Sequence, residues 1–268
     1  MTELNEIEAE LRAEPSELRE KIVRDVGSFT VALFAIHNSA GGARLQLGGT
    51  GTLVTDTKAH YILTARHVWD EVLRGGANVG ITLKEDIDHS FLIQTQVIVH
   101  SGPTPPQVWD EWGPDVVFLR IPPELLGTIN VYKVFYGLND RKKAQLGVDC
   151  IELHMLMGTP KEQGLLTNTH ADLQITGMLQ NISERCTRGE FDYLDLDMDL
   201  SLQDVPQDFG GVSGGGLWQV LVYKPKAGSK TDWMATLEGT AFYQSAPANG
   251  HRLVRCHGLQ GILKNLPA

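Results

Sequence analysis

The chain has 268 residues, 42% apolar and 21% charged, ordinary globular proportions that argue against wholesale disorder or a fibrous chain. Its 23 Lys and Arg face 33 Asp and Glu, for a net charge of −10; a diffuse acidic surface repels phosphate backbones, so nucleic acid is not expected as a primary partner. A chain of this length fits one large domain or two small ones and buries a core without disulfides, so Cys150, Cys186 and Cys256 are expected as reduced thiols.

Residues 3–25 differ from everything after them. Glu3, Glu6, Glu8, Glu10, Glu14, Glu17 and Glu20 interleave with Leu4, Ile7, Leu11, Leu18 and Ile22. Leu4, Ile7 and Leu11 recur at helical spacing, as do Leu18 and Ile22. Pro15 followed by Ser16 marks a break and a fresh helix start. Residues 1–25 therefore read as an acidic helical extension, either packed on the body of the protein or offered to a regulatory protein partner. The segment lacks the basic start and apolar stretch of a secretory signal, and no run approaches the ~18 apolar residues of a membrane span. A cytoplasmic protein without membrane attachment is expected.

From Ser28 the pattern changes to short β-rich runs: Phe29–His37, Ala43–Leu47, Gly51–Thr55, Tyr61–Thr64, Val79–Leu83, Phe91–His100 and Val116–Ile121, punctuated by Gly41-Gly42, Gly48-Gly49 and Gly75-Gly76. A short helix is expected after Arg66, through Leu73, and another turn over Glu124–Leu126. The basic run Arg141-Lys142-Lys143 reads as a solvated loop. A second β-rich half follows: Val148–Met157, Leu165–Gln180, Tyr193–Leu200, Gly216–Tyr223, Met234–Gln244 and Leu253–Cys256, with a last short helix over Ile262–Leu266. Closely spaced strands without regular intervening helices indicate barrels or a sandwich rather than βαβ units.

Three segments carry chemistry. In Gly210-Gly211-Val212-Ser213-Gly214-Gly215-Gly216 the glycines let the backbone turn tightly around one serine and aim neighbouring N–H groups at one point. In Tyr61-Ile62-Leu63-Thr64-Ala65-Arg66-His67, a histidine stands just past the end of an apolar strand, a rigid support suited to a general base. In Gly113-Pro114-Asp115-Val116-Val117-Phe118-Leu119 an aspartate enters an apolar run, where it needs a partner to offset its desolvation.

Taken in chain order, Thr64-Ala65-Arg66-His67, Asp115-Val116-Val117-Phe118-Leu119 and Gly211-Val212-Ser213-Gly214-Gly215 resemble the motifs of the trypsin-like (chymotrypsin-fold) serine peptidases. Gly49-Thr50-Gly51-Thr52-Leu53-Val54 and Leu237-Glu238-Gly239-Thr240-Ala241-Phe242-Tyr243 are similar to the strands before the His and after the Ser. The resemblance implies an all-β fold of two perpendicular six-stranded antiparallel β-barrels behind the helical extension. The peptidase domain would run over residues 26–268, with the N-terminal barrel in 26–122 and the C-terminal barrel in 140–268. It implies a serine endopeptidase in which Ser213 attacks the peptide carbonyl, His67 takes and returns the proton, and Asp115 orients the imidazole. The N–H groups of Gly211 and Ser213 would form the oxyanion hole, and Ala241, Phe242 and Tyr243 would pair with an extended polypeptide substrate. Gln207 would stand at the base of the specificity pocket and Gln244 at its mouth, and His257 would lie near its back wall or serve as a hydrogen-bonded structural histidine. No cofactor or metal is implied.

The sequence departs from digestive members of the family at Val212, where an Asp would accept a freshly cut N-terminal ammonium; that switch is impossible here. Two other chemistries fit poorly. A Gly-x-Ser-x-Gly nucleophile elbow needs the acid and the His after the Ser, and the tail beyond Ser213 reads as strands and loops. Zinc is disfavoured by the absence of His-Glu-x-x-His and Cys-x-x-Cys spacings. The competing functional reading is a catalytically silent barrel acting as a sensor or adaptor in a protein complex.

Overall fold

Runs rich in β-branched and aromatic residues, set between glycines, form strands from Thr30 onward. The computed structural model describes residues 7, 15–39, 42–84, 90–104, 110–139, 150–166, 171–202, 205–225 and 230–267. The first sheet contains β1 (Thr30–Ser39), β2 (Gly42–Thr55), β3 (His60–Thr64), β4 (Asn78–Thr82), β5 (Ser90–Gln94), β6 (Val99–Ser101) and β7 (Val117–Arg120). They are hydrogen-bonded in the order β5-β4-β1-β2-β3-β7-β6, and β8 (Tyr136–Gly137) lies parallel to the end of β2. The two edges of this sheet are halves of one run, interrupted only by a 3₁₀ turn over Thr95–Val97. One bent strand thus pairs with β4 at its start and with β7 at its end, closing a six-stranded antiparallel barrel and removing both free edges.

The second sheet closes in the same way. After β9 (Cys150–Gly158) and a separate hairpin of β10 (Gly164–Leu166) and β11 (Ala171–Leu173) come β12 (Thr176–Leu179), β13 (Ile182–Arg188), β14 (Phe191–Asp199), β15 (Gly216–Tyr223), β16 (Asp232–Gln244) and β17 (His251–Gly258). Their order is β12-β9-β15-β16-β17-β14-β13. The edges β12 and β13 are again consecutive in the chain, bending at Gln180 and Asn181, so this is a second six-stranded barrel. The fold is all-β, two barrels behind an N-terminal helix, as the family resemblance implied.

Strand alternation sorts the apolar residues into three layers. Ile62 joins Val31, Leu33, Leu53, Val117 and Leu119 inside the first barrel, and Leu156 and Leu217 join Leu194, Leu196 and Val254 inside the second. Tyr61, Leu63 and Phe118, on the opposite faces of their strands, meet Met155, Met157, Trp218 and Val220 in a middle layer between the barrels. Helix α1 (Pro15–Gly27) adds Ile22 and Val26 to this layer, and Ile7 is buried with them. The extension is therefore part of the inter-barrel core over these residues. The rest of the first amphipathic repeat, including Leu4 and Leu11, and the Arg141-Lys142-Lys143 run lie outside the described residues. No helix among the described residues is long and apolar enough to cross a membrane.

Several elements differ from the sequence expectation. Gly48-Gly49 does not end a strand; β2 continues through it, with a register shift opposite Leu33 and Phe34. Leu165–Gln180 is three short strands rather than one. The expected helix after Arg66 is a π-helical turn over Val68–Leu73, and the last helix lies earlier than expected, over Leu259–Lys264; the turn expected over Glu124–Leu126 is present, as a 3₁₀ turn over Pro123–Leu125 that runs into a helix over Leu126–Ile129. Strand β13, Ile-Ser-Glu-Arg-Cys-Thr-Arg, gives no apolar alternation to read, because most of it faces solvent; its pairing with β14 makes it a strand.

Ile22→Ala is expected to lower the unfolding free energy by about 2–4 kcal/mol, the range for emptying a buried aliphatic site, as read by urea denaturation. A change near zero would show that α1 is an accessory to the barrels rather than part of their core.

Candidate active site

His67 comes after Ala65 and Arg66 at the end of β3 and opens the turn whose Val68, Trp69 and Leu73 are buried in the first barrel. Arg66 is paired with Asp70 at 2.8 Å on the same turn, so the imidazole is carried on an anchored segment. Asp115 lies just before β7, which pairs with β3, and strand pairing thus brings it beside His67. The backbone N–H of His67 donates to Asp115 Oδ1 at 2.9 Å, and Nδ1 stands 2.6 Å from Oδ2. An ionised carboxylate only accepts, so Nδ1 carries the proton and Nε2 is the basic nitrogen. Asp115 is 3% exposed.

Ser213 comes from the second barrel, in the loop before β15. A chain of turns shapes this loop: Val212 N–H donates to the Phe209 carbonyl at 2.9 Å and Gly215 N–H to the Val212 carbonyl at 2.8 Å. Gly211 and Gly214 have φ of +93° and +90°, the left-handed region that glycine enters without strain. A Cβ on Gly214 would also stand 2.0 Å from the Thr50 carbonyl oxygen. The carbonyls of Gly210 and Val212 are pinned by Lys161 N–H and Gly215 N–H, both at 2.8 Å. Because each peptide is planar with N–H opposite C=O, the N–H groups of Gly211 and Ser213 leave on the other side. Neither has an acceptor among the described residues, whereas Gly210, Val212, Gly214 and Gly215 all donate.

Thr50 on β2 joins the two halves of the site. Its N–H donates to the Ser213 carbonyl at 2.8 Å, its hydroxyl to the Gly211 carbonyl at 2.7 Å, and its own carbonyl accepts the Thr64 hydroxyl at 2.7 Å. Thr159 backs the same point, with its hydroxyl 3.0 Å from that of Thr50. A Cβ on Gly49 would be 2.7 Å from the Ser213 carbonyl oxygen and 2.9 Å from Val68, the neighbour of His67. The Ser213 main chain is thus fixed against β2, next to the end of β3 that leads to the His67–Asp115 pair. The Ser213 hydroxyl makes no hydrogen bond to His67.

Beside Ser213 is a recess of about 10 Å³, lined by Phe209, Val212, Ala241, Phe242, Tyr243 and Val254, with Gln244 also on its wall. That is room for about one water molecule. The Gln244 amide is held at three points: Phe209 N–H donates to Oε1 at 3.0 Å, Arg252 Nη1 donates to the same oxygen, and Nε2 donates to Asp208 Oδ1 at 2.7 Å. Hydrogen bonds from the Gln244 amide and the Gly210 N–H hold the Asp208 carboxyl below its ordinary range. On the far side of the recess β15 reaches only as far as Thr240 on β16, so Phe242–Gln244 keeps β17 on one side and has no strand on the other among the described residues.

Two residues expected at the pocket are elsewhere. Gln207 is not part of the recess; its amide donates to the Leu200 carbonyl at 2.8 Å and its N–H to Glu162 at 2.5 Å, because the chain turns outward there. His257 does not face the recess; of its two expected readings it takes the structural, hydrogen-bonded one, fully buried behind Asp115 and stacked on Phe242 at 4.1 Å between ring centroids. Its Nε2 accepts the Asp115 N–H at 2.9 Å. Burial pushes the imidazole down to about 4, outweighing the opposite pull of Asp115. Tyr193 lies against its ring, 5.3 Å between centroids, and burial raises the Tyr193 phenol to about 12. Sequence reasoning missed Thr50, Thr159, Asp208 as a Gln244 partner, and Arg252. Thr50 lies inside one of the motifs similar to the family's strands, but a threonine among glycines gives no sign of what its hydroxyl will meet. Among the described residues no group of three His, Cys, Asp or Glu could hold a metal ion.

Solved structures with which this chain overlaps include one described as aromatic interactions driving the coupled folding and binding of the intrinsically disordered Sesbania mosaic virus VPg protein, at 14% identity and a TM-score of 0.46 over 90% of this chain and 97% of that one. Two others are tobacco vein mottling virus protease (9% identity, TM-score 0.41, 87% and 78% covered) and a catalytically inactive tobacco etch virus protease complexed with substrate (14%, 0.41, 90% and 84%). No family model and no curated protein matches the sequence.

Neutral burial of His257 has a thermodynamic consequence. Between its ordinary value of 6.5 and about 4 the unfolded chain binds a proton that the folded chain does not, so stability falls as pH drops through that window. Urea unfolding across the window is expected to show this decline, and His257→Gln, which has no titrating ring, is expected to flatten it. An unchanged slope in the variant would contradict a neutral, buried ring.

Proposed function

We propose that this chain is a serine endopeptidase that hydrolyses peptide bonds through an acyl-enzyme. The observation that carries the reading is the pairing of a buried Asp115 with His67 Nδ1, together with a serine loop in which the N–H groups of Gly211 and Ser213 have no acceptor among the described residues. Ser213 Oγ attacks the peptide carbonyl as His67 Nε2 takes its proton; Asp115 stabilises the imidazolium. The N–H groups of Gly211 and Ser213 receive the oxyanion, an interaction of about 3–4 kcal/mol for each donor. His67 returns the proton to the leaving amine, and water then repeats the sequence on the ester. Phe242–Gln244 adds the substrate as an extended strand along the open side of β16; Ala241, expected to share this role, does not, because its N–H and carbonyl are taken by Gly215 and Gly214. The size of the recess favours glycine, alanine or serine before the scissile bond, and Gln244 is the residue that limits it.

One observation favours the second reading, a silent barrel serving as sensor or adaptor: the Ser213 hydroxyl is not hydrogen-bonded to His67. Catalytic hydrogen bonds often tighten only with substrate bound, and chemical labelling separates the two. A fluorophosphonate probe is expected to label the wild-type protein at Ser213, and Ser213→Ala to lose both labelling and peptide cleavage while keeping its fold. Asp115→Asn is expected to reduce turnover about 10⁴-fold through the wrong imidazole tautomer. A folded wild-type protein that resists the probe is the outcome that selects the silent barrel.

A peptide-library profile tests the selectivity. Cleavage is expected after small residues, and Gln244→Gly is expected to admit medium-sized side chains at the same position. A profile dominated by Arg or Lys would refute the assignment and point to Asp208 as an acid that the substrate reaches.

A further inference from the structure

The segment that delivers Asp115 from the first barrel is gripped by one face of the second. On β17, Arg255 and His257 are two residues apart and share a face, while Cys256 between them points into the barrel core. Arg255 is held by both oxygens of Asp195 at 2.7 Å and donates Nη1 to the Glu111 carbonyl at 2.9 Å. Its guanidinium lies 3.5 Å from the centre of the Trp112 ring, and that of Arg188 lies 3.3 Å from it. Tyr193 on β14, the register partner of His257, donates its hydroxyl to the Trp112 carbonyl. His257 Nε2 takes the Asp115 N–H at 2.9 Å. The segment is thus tied at Glu111, Trp112 and Asp115.

His257 is not what packing alone would select. To accept an N–H its Nε2 must be unprotonated, so the neutral ring carries its proton on Nδ1. Nδ1 is buried and has no hydrogen-bond partner among the described residues. A buried orphan donor is unfavourable, and an apolar side chain of similar volume would avoid it. An apolar side chain could not accept the Asp115 N–H, and a carboxylate at this point would repel the charge on Asp115. A neutral imidazole meets both requirements.

We propose that His257 is a positioning residue for the His67–Asp115 pair: as an uncharged acceptor on the second barrel, it holds the Asp115 main chain where both carboxylate oxygens meet His67. Its effect on turnover rests on the peptidase reading, whereas its effect on the pair does not.

The test compares His257→Gln, which retains an acceptor at similar reach, with His257→Met, an unbranched chain of similar length without one; both lose the ring stack on Phe242. Proton NMR reads the low-field resonance of the proton between His67 and Asp115, and peptide hydrolysis reads kcat and KM separately. His257→Met is expected to broaden or lose the resonance and to lower kcat roughly 10²-fold, the scale of a small misplacement, with KM little changed. His257→Gln is expected to recover the resonance and most of kcat. A folded Met variant with the wild-type resonance overturns the proposal, as does a folded Gln variant as impaired as Met. Should neither variant fold, ¹⁵N spectra of wild-type histidines decide: an unprotonated Nε2 on His257 supports the role and a protonated one refutes it. If the wild-type protein hydrolyses no peptide, the peptidase reading fails while the resonance still decides the positioning.

Discussion

A carboxylate buried at the seam of two barrels can persist only where its charge is met by hydrogen bonds, and Asp115 sets that condition for the rest of the site. Both of its oxygens are taken by His67, one by the backbone and one by the ring. This pins the imidazole tautomer and requires the end of β3 to lie beside the start of β7, which their pairing provides. The backbone of Asp115 needs an acceptor as well, and it finds one on the other barrel in His257. A single buried charge thus constrains residues from both halves of the molecule.

The two barrels are separate closed sheets, so the geometry between them depends on what lies at their contact. The middle apolar layer supplies the adhesion, and Thr50 supplies direction. Its three polar groups reach Thr64 near His67 on one side and the carbonyls of Gly211 and Ser213 on the other. Adhesion through side chains such as Trp218, Phe118 and Met157 is non-directional; a buried hydrogen-bonded threonine is not. Helix α1 reinforces the same layer, which links the extension to the site through packing.

Around the recess, polar groups perform a different task. Asp208, Gln244 and Arg252 are hydrogen-bonded to one another at the wall of a largely apolar hollow. Every hydrogen bond that holds Gln244 in place also reduces the space a substrate side chain could occupy. Stability of the wall and narrowness of the recess are therefore coupled, and a wider hollow requires that these three partners be replaced together or left unpaired.

Much of this was legible in the sequence because it is local. Strand-forming runs between glycines, the apolar approach to His67, the aspartate entering Val116-Val117-Phe118 and the glycines around Ser213 are properties of short segments; the strand spacing left barrel or sandwich open, and the resemblance carried by the motif order implied two barrels. The bend that closes each barrel was half visible: Phe91–His100 reads as one run, whereas exposed β13 leaves no alternation to read. The tertiary structure alone decided what pairs across long separations. Thr50 and Gly211 are 161 residues apart, and Asp115 and His257 are 142 apart. A hydroxyl or an imidazole in the sequence carries no mark of the partner it will meet, because that partner is chosen by how two independently closed barrels pack. For this reason the sequence leaves His257 open between a pocket residue and a structural histidine, and only the packing of the barrels sets it behind the aspartate; the width of the recess likewise follows from a three-way contact that no single segment contains.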